Sequence, residues 1–174
     1  NCRRLKAAGL VDKCFIYHNT MRALQWIESQ RAVMYDATKR DWFLQYEDSA
    51  GRKNGTIYNA KSGAYDQYLW DYRNPEAAAY IVAATVNDTM SPYVDGSFTD
   101  DTHGMPDECE DCQQAIGMSE AQLVVYRNAV SLAGAKLIKE LAAAGKGTIQ
   151  GLESQYLYAP TDAAGCQSFM EKYT

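Results

Sequence analysis

Short strand-like segments alternate with helix-like segments along this 174-residue chain, and that alternation restricts its possible folds more than any other feature. Strand patterns cover residues 13–17, 42–46, 68–71, a segment that begins at Tyr93, and residues 148–150. Helix patterns cover residues 20–34, 75–85 and 120–141. Strands that alternate with helices form parallel sheets through right-handed crossovers. The sequence therefore predicts an α/β fold, a partial or complete (β/α)8 TIM-barrel-like sheet with about four βα units.

The chain length bears on whether such a barrel is complete. A full (β/α)8 barrel typically needs about 250 residues, and the chain has 174. It also begins at Asn1 rather than at a methionine. We expect residues 1–174 to form a single domain that is either an incomplete barrel or part of a longer chain.

Local residue preferences mark where the helices begin. Asn74 and Pro75 are typical of a helix N-cap followed by the first helical position. Ser119 and Gln122 have the spacing of a capping box. Residues 19–20 have capping side chains as well, so we expect the first of the three helices to begin directly after them.

Composition argues against several classes of partner. The formal net charge of −5 and the pI near 5.0 disfavour nucleic acids and anionic membranes, which select basic surfaces. No apolar run approaches the roughly 20 residues of a membrane-spanning helix. The glycine patterns of dinucleotide sites and P-loops are absent from the sequence, and so is the G-x-S-x-G pattern of serine hydrolases.

The cysteines are odd in number. Five are present, at positions 2, 14, 109, 112 and 166. Two disulfides would leave one thiol, or a cysteine would pair outside this chain. Cys109 and Cys112 with His103 could suggest a metal site, but a second ligand pair at zinc spacing is missing. We favour a disulfide within this acidic segment and predict no metal site.

Two N-glycosylation sequons accompany these cysteines. They begin at Asn54 and Asn87. One sequon occurs easily by chance. Sequons and cysteines together favour a secreted, extracellular glycoprotein.

The candidate for the central strand ends on two adjacent acids, Asp100 and Asp101. Chemistry in α/β sheets lies at the carboxyl ends of the strands, so these acids stand where a catalytic carboxylate is expected. Alternate residues of a strand point to opposite faces, so only one of the two should face a pocket. Asp100 is the candidate if Phe98 shares the inner face, and Asp101 is the candidate if Thr99 does. Both could instead bind a divalent cation or cap the following turn.

The ends of the other predicted strands supply polar and aromatic side chains to the same edge. Asp71 is a possible partner acid. The possible substrate-binding groups are Tyr17, Asn19, Trp70, Arg73 and Gln150. Acids, amides, a guanidinium and aromatic rings together are typical of sugar sites. Glycoside hydrolysis needs two carboxyls, about 5–5.5 Å apart for retention or about 6.5–9.5 Å apart for inversion. Strands lie about 4.8 Å apart, so Asp71 and Asp100 could meet either condition.

Structural roles compete with these functional ones. Asp71 could be an ion-pair partner of Arg73 or a local cap. His18 lies at the opposite parity from Tyr17, which favours a packing role. Trp26 and Trp42 are most simply residues of the core.

A series of segments, taken in order, resembles a known group of proteins. The segments are residues 13–19, 23–26, 31–36, 42–44, 55–59, 70–75 and 95–101. They resemble a glycoside-hydrolase-like TIM-barrel family of secreted proteins from algae, oomycetes and related eukaryotes. The resemblance covers most of the chain and implies a barrel fold.

The Asp-Gly-x-x-x-Asp pattern at residues 95–100 is also similar to the fourth strand of many barrel glycosidases, whose last aspartate is catalytic. Carried over, this resemblance implies that Asp100 is catalytic. One departure is that no glutamate stands near the end of this strand, where many related hydrolases keep their acid.

These observations lead to two functional hypotheses. The first is a glycoside hydrolase that acts on a polysaccharide through Asp100 or Asp101 with Asp71 as partner acid, a chemistry that needs no cofactor. The second is a non-catalytic structural or glycan-binding protein of the cell surface or of an extracellular filament. An incomplete sheet exposes strand edges, which would favour a homo-oligomer or filament.

Overall fold

A parallel three-stranded sheet forms the centre of the fold in the computed structural model, which describes residues 1–47, 53–57, 67–100 and 119–150. The elements are α1 Cys2–Ala7, β1 Phe15–Asn19, β2 Arg22–Leu24, α2 Glu28–Met34, a 3-10 helix Ala37–Trp42, β3 Gln45–Glu47, β4 Lys53–Ile57, β5 Gln67–Leu69, α3 Pro75–Asp88, β6 Gly96–Asp100, α4 Glu120–Ala143 and β7 Gly147–Gln150. Strand β6 lies between β1 and β7 and is parallel to both. Helix α3 packs against α4 and α2. The predicted mixed α/β fold with parallel strands is confirmed, while closure into a barrel remains a prediction.

The two long helices begin where the sequence predicted. The side chain of Asn74 accepts hydrogen bonds from the backbone N–H groups of Glu76 and Ala77, at 3.0 and 3.3 Å. Ser119 and Gln122 form the expected capping box. These caps satisfy N–H groups that would otherwise lack helical partners. Helix α4 ends at Ala143, and Gly145 follows with a φ of 69°, a conformation that glycine adopts readily.

The predicted helix over residues 20–34 is wrong in its first half. Residues Arg22–Leu24 form β2, which pairs antiparallel with β5, and the helix begins only at Glu28. The predicted strand at 68–71 is therefore not a parallel unit of the sheet, because its observed partner β2 runs in the opposite direction. One long-range pairing explains both errors: it overrides the local preference of residues 22–24 for helix, and it fixes the direction of β5.

The predicted strand at residues 42–46 is also displaced. Residues Ala37–Trp42 form a 3-10 helix, whose N-cap Asp36 accepts a hydrogen bond from the N–H of Thr38 at 2.9 Å. The strand β3 starts at Gln45 and pairs antiparallel with β4. Within the described ranges, three strands are therefore parallel instead of the predicted four.

A single cluster of buried apolar side chains joins the helices to the small antiparallel pair. Its largest fully buried members are Trp70, Tyr126, Phe43, Met21, Leu44 and Leu141. Trp42 is buried as predicted. The inner stripe of α4 follows helical spacing, with Tyr126, Val130 and Leu137 all buried. This core holds the antiparallel pair over one end of the parallel sheet.

The amino-terminal end of the sheet is held together by covalent and ionic contacts. Cys2 and Cys14 form a disulfide that ties α1 to the start of β1. Lys6 forms an ion pair of 2.6 Å with Asp95, which also accepts a hydrogen bond from the N–H of Cys14 at 2.7 Å. The hydrogen bond from Lys6, followed by that from Cys14, lowers the pKa of Asp95 to about 2.

No helix in the described ranges is long and apolar enough to cross a membrane.

Gly96→Ala is expected to lower the free energy of unfolding by about 3 kcal/mol, the upper end of the usual cost of overpacking. A Cβ at Gly96 would lie 1.9 Å from the carbonyl oxygen of Gly147 on the neighbouring strand. The backbone of β7 would have to move to relieve this clash. Gly147→Ala is the matched control, because its Cβ would meet a side-chain atom of Phe15 at 3.1 Å, which can shift. Urea denaturation of the two variants measures the difference, and equal losses would contradict the close strand approach.

Candidate functional site at the carboxyl end of the parallel sheet

Among the described residues, helices α2 and α3 lie on one face of the parallel sheet. We call the other face, on which Tyr17, Phe98 and Asp100 are not buried, the open face. On the covered face, His18, Ser97 and Thr99 are almost completely buried. On the other face lie Tyr17, which is 38% exposed, and Asp100, which is half-buried. The register pairs Asn19 with Asp100, and alternation along the strands separates these two groups of residues. Asp100 therefore lies on the open face with Phe98, and Asp101 lies outside the described residues.

The Asp100 carboxylate is hydrogen-bonded to a neighbouring strand. The hydroxyl of Tyr17 donates to Oδ2 of Asp100 at 3.0 Å, and Nδ2 of Asn19 donates to the Tyr17 oxygen at 3.3 Å. The backbone carbonyl of Asp100 accepts hydrogen bonds from the N–H and from the hydroxyl of Thr20, each at 3.1 Å. These contacts fix the acid at the end of β6 while its side chain remains accessible. Residues 101–104, which the alternative turn cap would involve, lie outside the described ranges.

Asn19 organises the chain that leaves β1. Its Oδ1 atom accepts hydrogen bonds from the N–H groups of Met21 and Arg22, at 3.0 and 2.7 Å. Its carbonyl accepts a hydrogen bond from Nε2 of Gln30 at 3.2 Å, and Oε1 of Gln30 accepts one from the N–H of Leu24 at 2.8 Å. Asn19 does cap the following turn, as its type predicts, but that turn leads into β2 instead of a helix. This buried asparagine therefore joins the site to β2 and α2.

Asp71 forms a buried, two-pronged ion pair with Arg73. Nε of Arg73 donates to Oδ1 of Asp71 at 2.8 Å, and the second guanidinium contact, to Oδ2, measures 2.7 Å. The side chain of Asp71 is only 6% exposed. The segment that carries it approaches the end of β6 through Tyr72, whose hydroxyl donates to the carbonyl of Thr20. The ion pair was one of the roles left open by the sequence.

The remaining residues that the sequence predicted to bind a substrate do not all lie at the site of Asp100. Trp70 is completely buried and packs its ring 4.7 Å from that of Phe43, so neither face is open to a sugar. Gln150 ends β7 with Thr99 as its register partner. Asp101 lies outside the described residues. The structure therefore supports Tyr17 as an accessible aromatic ring beside Asp100, whereas Trp70 belongs to the core.

The two predicted glycosylation sites lie in different kinds of element, Asn87 in a helix and Asn54 in a strand. Asn87 lies in the last turn of α3 and is exposed, and Thr89 of the same sequon is completely buried. Asn54 lies in β4.

Cys109, Cys112 and Cys166 lie outside the described ranges, so the predicted disulfide in the acidic segment stays a prediction.

Trp26 is not a core residue, contrary to the sequence prediction. It is 52% exposed in the connection between β2 and α2. The prediction assumed that Trp26 lay inside a continuous amphipathic helix. The strand β2 changes the direction of the chain before α2 begins, and this leaves the indole on the surface.

A buried polar cluster lies on the opposite face of the sheet from Asp100. Nδ1 of His18 lies 3.1 Å from the hydroxyl of Ser97, and Nε2 lies 3.1 Å from Oδ2 of Asp88 on α3. Ser29 of α2 donates to the same carboxylate oxygen at 2.7 Å. Burial lowers the pKa of His18 below its usual value of 6.5, although the hydrogen bond and the charge of Asp88 act to raise it. The cluster joins β1, β6, α2 and α3, in line with the packing role predicted for His18.

The free energy of unfolding is expected to fall as the pH drops below 6.5, because unfolded His18 takes up a proton that the folded state resists. One such group contributes a slope of at most about 1.4 kcal/mol per pH unit. Urea denaturation from pH 7.5 to pH 5.5 measures it. His18→Gln should remove this slope, and His103→Gln, which changes the other histidine, should keep it. An unchanged slope in His18→Gln would contradict the prediction.

The geometry of the site suits chemistry by a single positioned carboxylate. Asp100 has a defined orientation, an accessible position and an aromatic neighbour, which are the requirements of a nucleophile or base that acts on a sugar. Among the described residues, no group of three His, Cys, Asp or Glu side chains is arranged to hold a metal ion. What the site can do depends on a second carboxyl, which Asp71 supplies only if its ion pair with Arg73 opens.

Comparisons with known proteins found solved structures with a similar fold but no match by sequence. No family model matches the sequence, and no curated protein sequence matches it. Solved structures with a similar fold include the glycoside hydrolase domain of PelA from Pseudomonas aeruginosa, with a TM-score of 0.53 and 15% identity over 90% of this chain. The others include a GH31 family sulfoquinovosidase from E. rectale, with a TM-score of 0.53 and 17% identity over 90% of the chain.

A third similar structure is alpha-L-fucosidase isoenzyme 2 from Paenibacillus thiaminolyticus, with a TM-score of 0.50 and 18% identity over 86% of the chain. The chain spans 49% of the PelA domain and 22% of each of the other two structures. At these identities the likeness establishes the fold alone. The chain thus has the fold of about half of a glycoside hydrolase domain.

Proposed function

We propose that this chain belongs to a secreted carbohydrate-active protein of the glycoside hydrolase type, with Asp100 as its nucleophile or general base. The observation that carries the proposal is the position of Asp100. This acid ends the central parallel strand on the open face of the sheet, where the hydroxyl of Tyr17 orients it. Carboxyl ends of parallel strands are where barrel enzymes keep their catalytic groups. The fold shared with hydrolase domains supports the same reaction class.

The reaction requires a second carboxyl group. Asp71 was the predicted partner acid, and in this structure both of its carboxylate oxygens contact the guanidinium of Arg73. We therefore propose that Asp71 orients Arg73 toward substrate hydroxyls in the resting site. The proposed proton donor is then Asp101, which follows Asp100 directly in the sequence, or an acid of the stretch 107–111.

The substrate would lie along the open face of the sheet. Tyr17 and Phe98 present neighbouring rings, with centroids 5.8 Å apart, against which the apolar side of a sugar can pack. Asn19, Arg73 and Gln150 are the proposed hydrogen-bonding groups around it. No cofactor is needed, because two carboxyls and water suffice for glycoside hydrolysis.

Two observations support an extracellular location. The disulfide between Cys2 and Cys14 is of a kind that persists in oxidising compartments. The sequon residue Asn87 is exposed on α3, where a glycan can extend into solvent. Treatment of the protein expressed in a eukaryotic secretory host with a glycosidase specific for N-glycans should lower its mass.

A glycan-binding protein without turnover is the second candidate. It is favoured by one observation: both carboxylate oxygens of Asp71, the predicted partner acid, contact the guanidinium of Arg73. The two candidates differ in a single experiment, in which the protein is incubated with a panel of algal and fungal polysaccharides while new reducing ends and retained glycan are both measured. Release of reducing ends supports the hydrolase. Retention without release supports the binding protein. The absence of both release and retention would reject a carbohydrate function.

A further inference from the structure

Thr20 lies between the two acids that the sequence predicted to work together. Its N–H and its hydroxyl both donate to the backbone carbonyl of Asp100, each at 3.1 Å. On its other side, the N–H of Trp70 donates to the carbonyl of Met21 at 3.1 Å. This bond extends the antiparallel pairing of β2 with β5 and places Asp71 alongside Thr20. Neighbouring strands lie about 4.8 Å apart, so the main chains of Asp71 and Asp100 lie within about 10 Å of each other.

Tyr72 connects Thr20 to the ion pair between Asp71 and Arg73. The hydroxyl of Tyr72 donates to the carbonyl of Thr20, and both residues are buried. Tyr72 stands between Asp71 and Arg73 in the chain, and the guanidinium of Arg73 contacts the Asp71 carboxylate at 2.8 and 2.7 Å. The position of Arg73 is therefore fixed relative to Thr20, and the position of Thr20 is fixed relative to Asp100.

The ring of Tyr72 is held in place by the core. It lies edge-on to the ring of Tyr126, with centroids 6.2 Å apart. The hydroxyl of Tyr126 donates to the carbonyl of Trp70 at 3.0 Å, so both tyrosines bind a backbone carbonyl through a buried hydroxyl. Of these two bonds, the one made by Tyr72 ends on the residue that holds Asp100.

We propose that Tyr72 is a positioning residue for the reaction at Asp100, because through Thr20 it sets the separation between the Asp100 carboxylate and the guanidinium of Arg73. The inference rests on the proposed hydrolase function, in which Arg73 binds substrate hydroxyls. The hydroxyl that Arg73 holds and the anomeric carbon that Asp100 attacks belong to one ligand. The separation of the two protein groups therefore decides whether the bound sugar lies within reach of the carboxylate, and a displacement of about 1 Å can cost about 100-fold in rate.

Tyr72→Phe tests the proposal, because it removes the hydroxyl and keeps the ring. We expect kcat for the release of reducing ends to fall at least about tenfold while KM changes less than about twofold. The sugar can still bind to Arg73, but it is no longer held at the right distance from Asp100. The probes are the soluble polysaccharides laminarin, chitosan and alginate.

Tyr126→Phe is the matched control. It also removes a buried hydroxyl that donates to a backbone carbonyl, so its cost in stability should be similar, but its bond does not end on Thr20. Its kcat should equal that of the parent. Thr20→Val should lower kcat as Tyr72→Phe does, because it removes the hydroxyl that donates to the carbonyl of Asp100, and Thr20→Ser should restore the parent rate.

Hydrogen exchange at the Thr20 amide gives a second measurement that needs no sugar. This amide donates to the carbonyl of Asp100, so its exchange in the folded protein reports how firmly the two residues are held together. Tyr72→Phe should speed this exchange about tenfold, the effect of losing one hydrogen bond. Tyr126→Phe should change it less. An unchanged rate in Tyr72→Phe would show that Tyr72 does not hold this strand end, and would overturn the inference.

The kinetic results separate the positioning role from the function on which it rests. Cleavage by Tyr72→Phe at the parent rate would overturn the inference and leave the proposed function intact. An equal fall of kcat in Tyr126→Phe would make the effect one of general packing, and a rise of KM at unchanged kcat would make it one of binding. Either result would overturn the positioning role. A parent protein that releases no reducing ends from any probe would reject the proposed hydrolase, and the positioning role with it.

Discussion

Asp100→Asn is expected to reduce the rate of glycan cleavage by about 1,000-fold or more while leaving glycan affinity nearly unchanged. Asparagine keeps the shape of the side chain and can still accept a hydrogen bond from Tyr17, so the site should keep its geometry. It cannot act as a nucleophile or base, because its amide lacks the negative charge. Release of reducing ends under saturating substrate measures the rate, and calorimetry with the same glycan measures affinity.

Asp12→Asn is the control for this experiment. Asp12 is exposed and precedes β1, so it lies toward the amino-terminal end of the parallel sheet, away from Asp100. The control should cleave glycans at the parent rate. Cleavage by Asp100→Asn at the parent rate would end the proposed role of Asp100. Asp101→Asn would then be the next variant to measure, since Asp101 is the other acid at this strand end.

Arg73→Met is expected to lower the free energy of unfolding by about 3–5 kcal/mol, because it leaves the buried Asp71 carboxylate without its partner. Removing one member of a buried ion pair costs more than the pair contributes as a whole. The double variant Asp71→Asn/Arg73→Met should therefore recover most of the lost stability. Denaturation in guanidinium chloride gives the free energy of unfolding for both variants.

An exposed ion pair provides the comparison. Lys136 and Glu140 lie one turn apart on α4, with 3.7 Å between the charged atoms and side chains 56% and 41% exposed. Lys136→Met should cost less than about 1 kcal/mol, since exposed pairs contribute little. If Arg73→Met cost no more than this, Asp71 would not depend on Arg73 for its burial. Asp71 would then be free to act as the predicted partner acid.

Those features of the fold that depend on neighbouring residues could be predicted from the sequence. The helices α3 and α4 begin at Asn74 and Ser119 because capping depends on residues within one helical turn. Strand β1 and the last strand of the sheet were found within two residues of their observed bounds. The alternation of these elements sufficed to predict an α/β fold with parallel strands.

The candidate site could be predicted only in part. The strand ending in Asp100 was identified from its composition and its final acid, but alternation alone gave two equivalent faces. The choice between them depends on which face the helices cover, and the contact of His18 with Asp88 decides this. The role of Asp71 also depends on tertiary structure, because the sequence does not show that the Arg73 side chain turns back to form an ion pair with it.

The sequence alone therefore determined the starts of α3 and α4, the strand β1 and the acidic end of β6, because each is encoded by residues close together in the chain. Only the tertiary structure decided that residues Arg22–Leu24 form a strand, that Trp26 is exposed and that Trp70 is buried. These properties depend on the pairing of β2 with β5, two segments separated by more than 40 residues. Local preferences cannot specify such a pairing, since its stability comes from contacts that form only when the chain has folded.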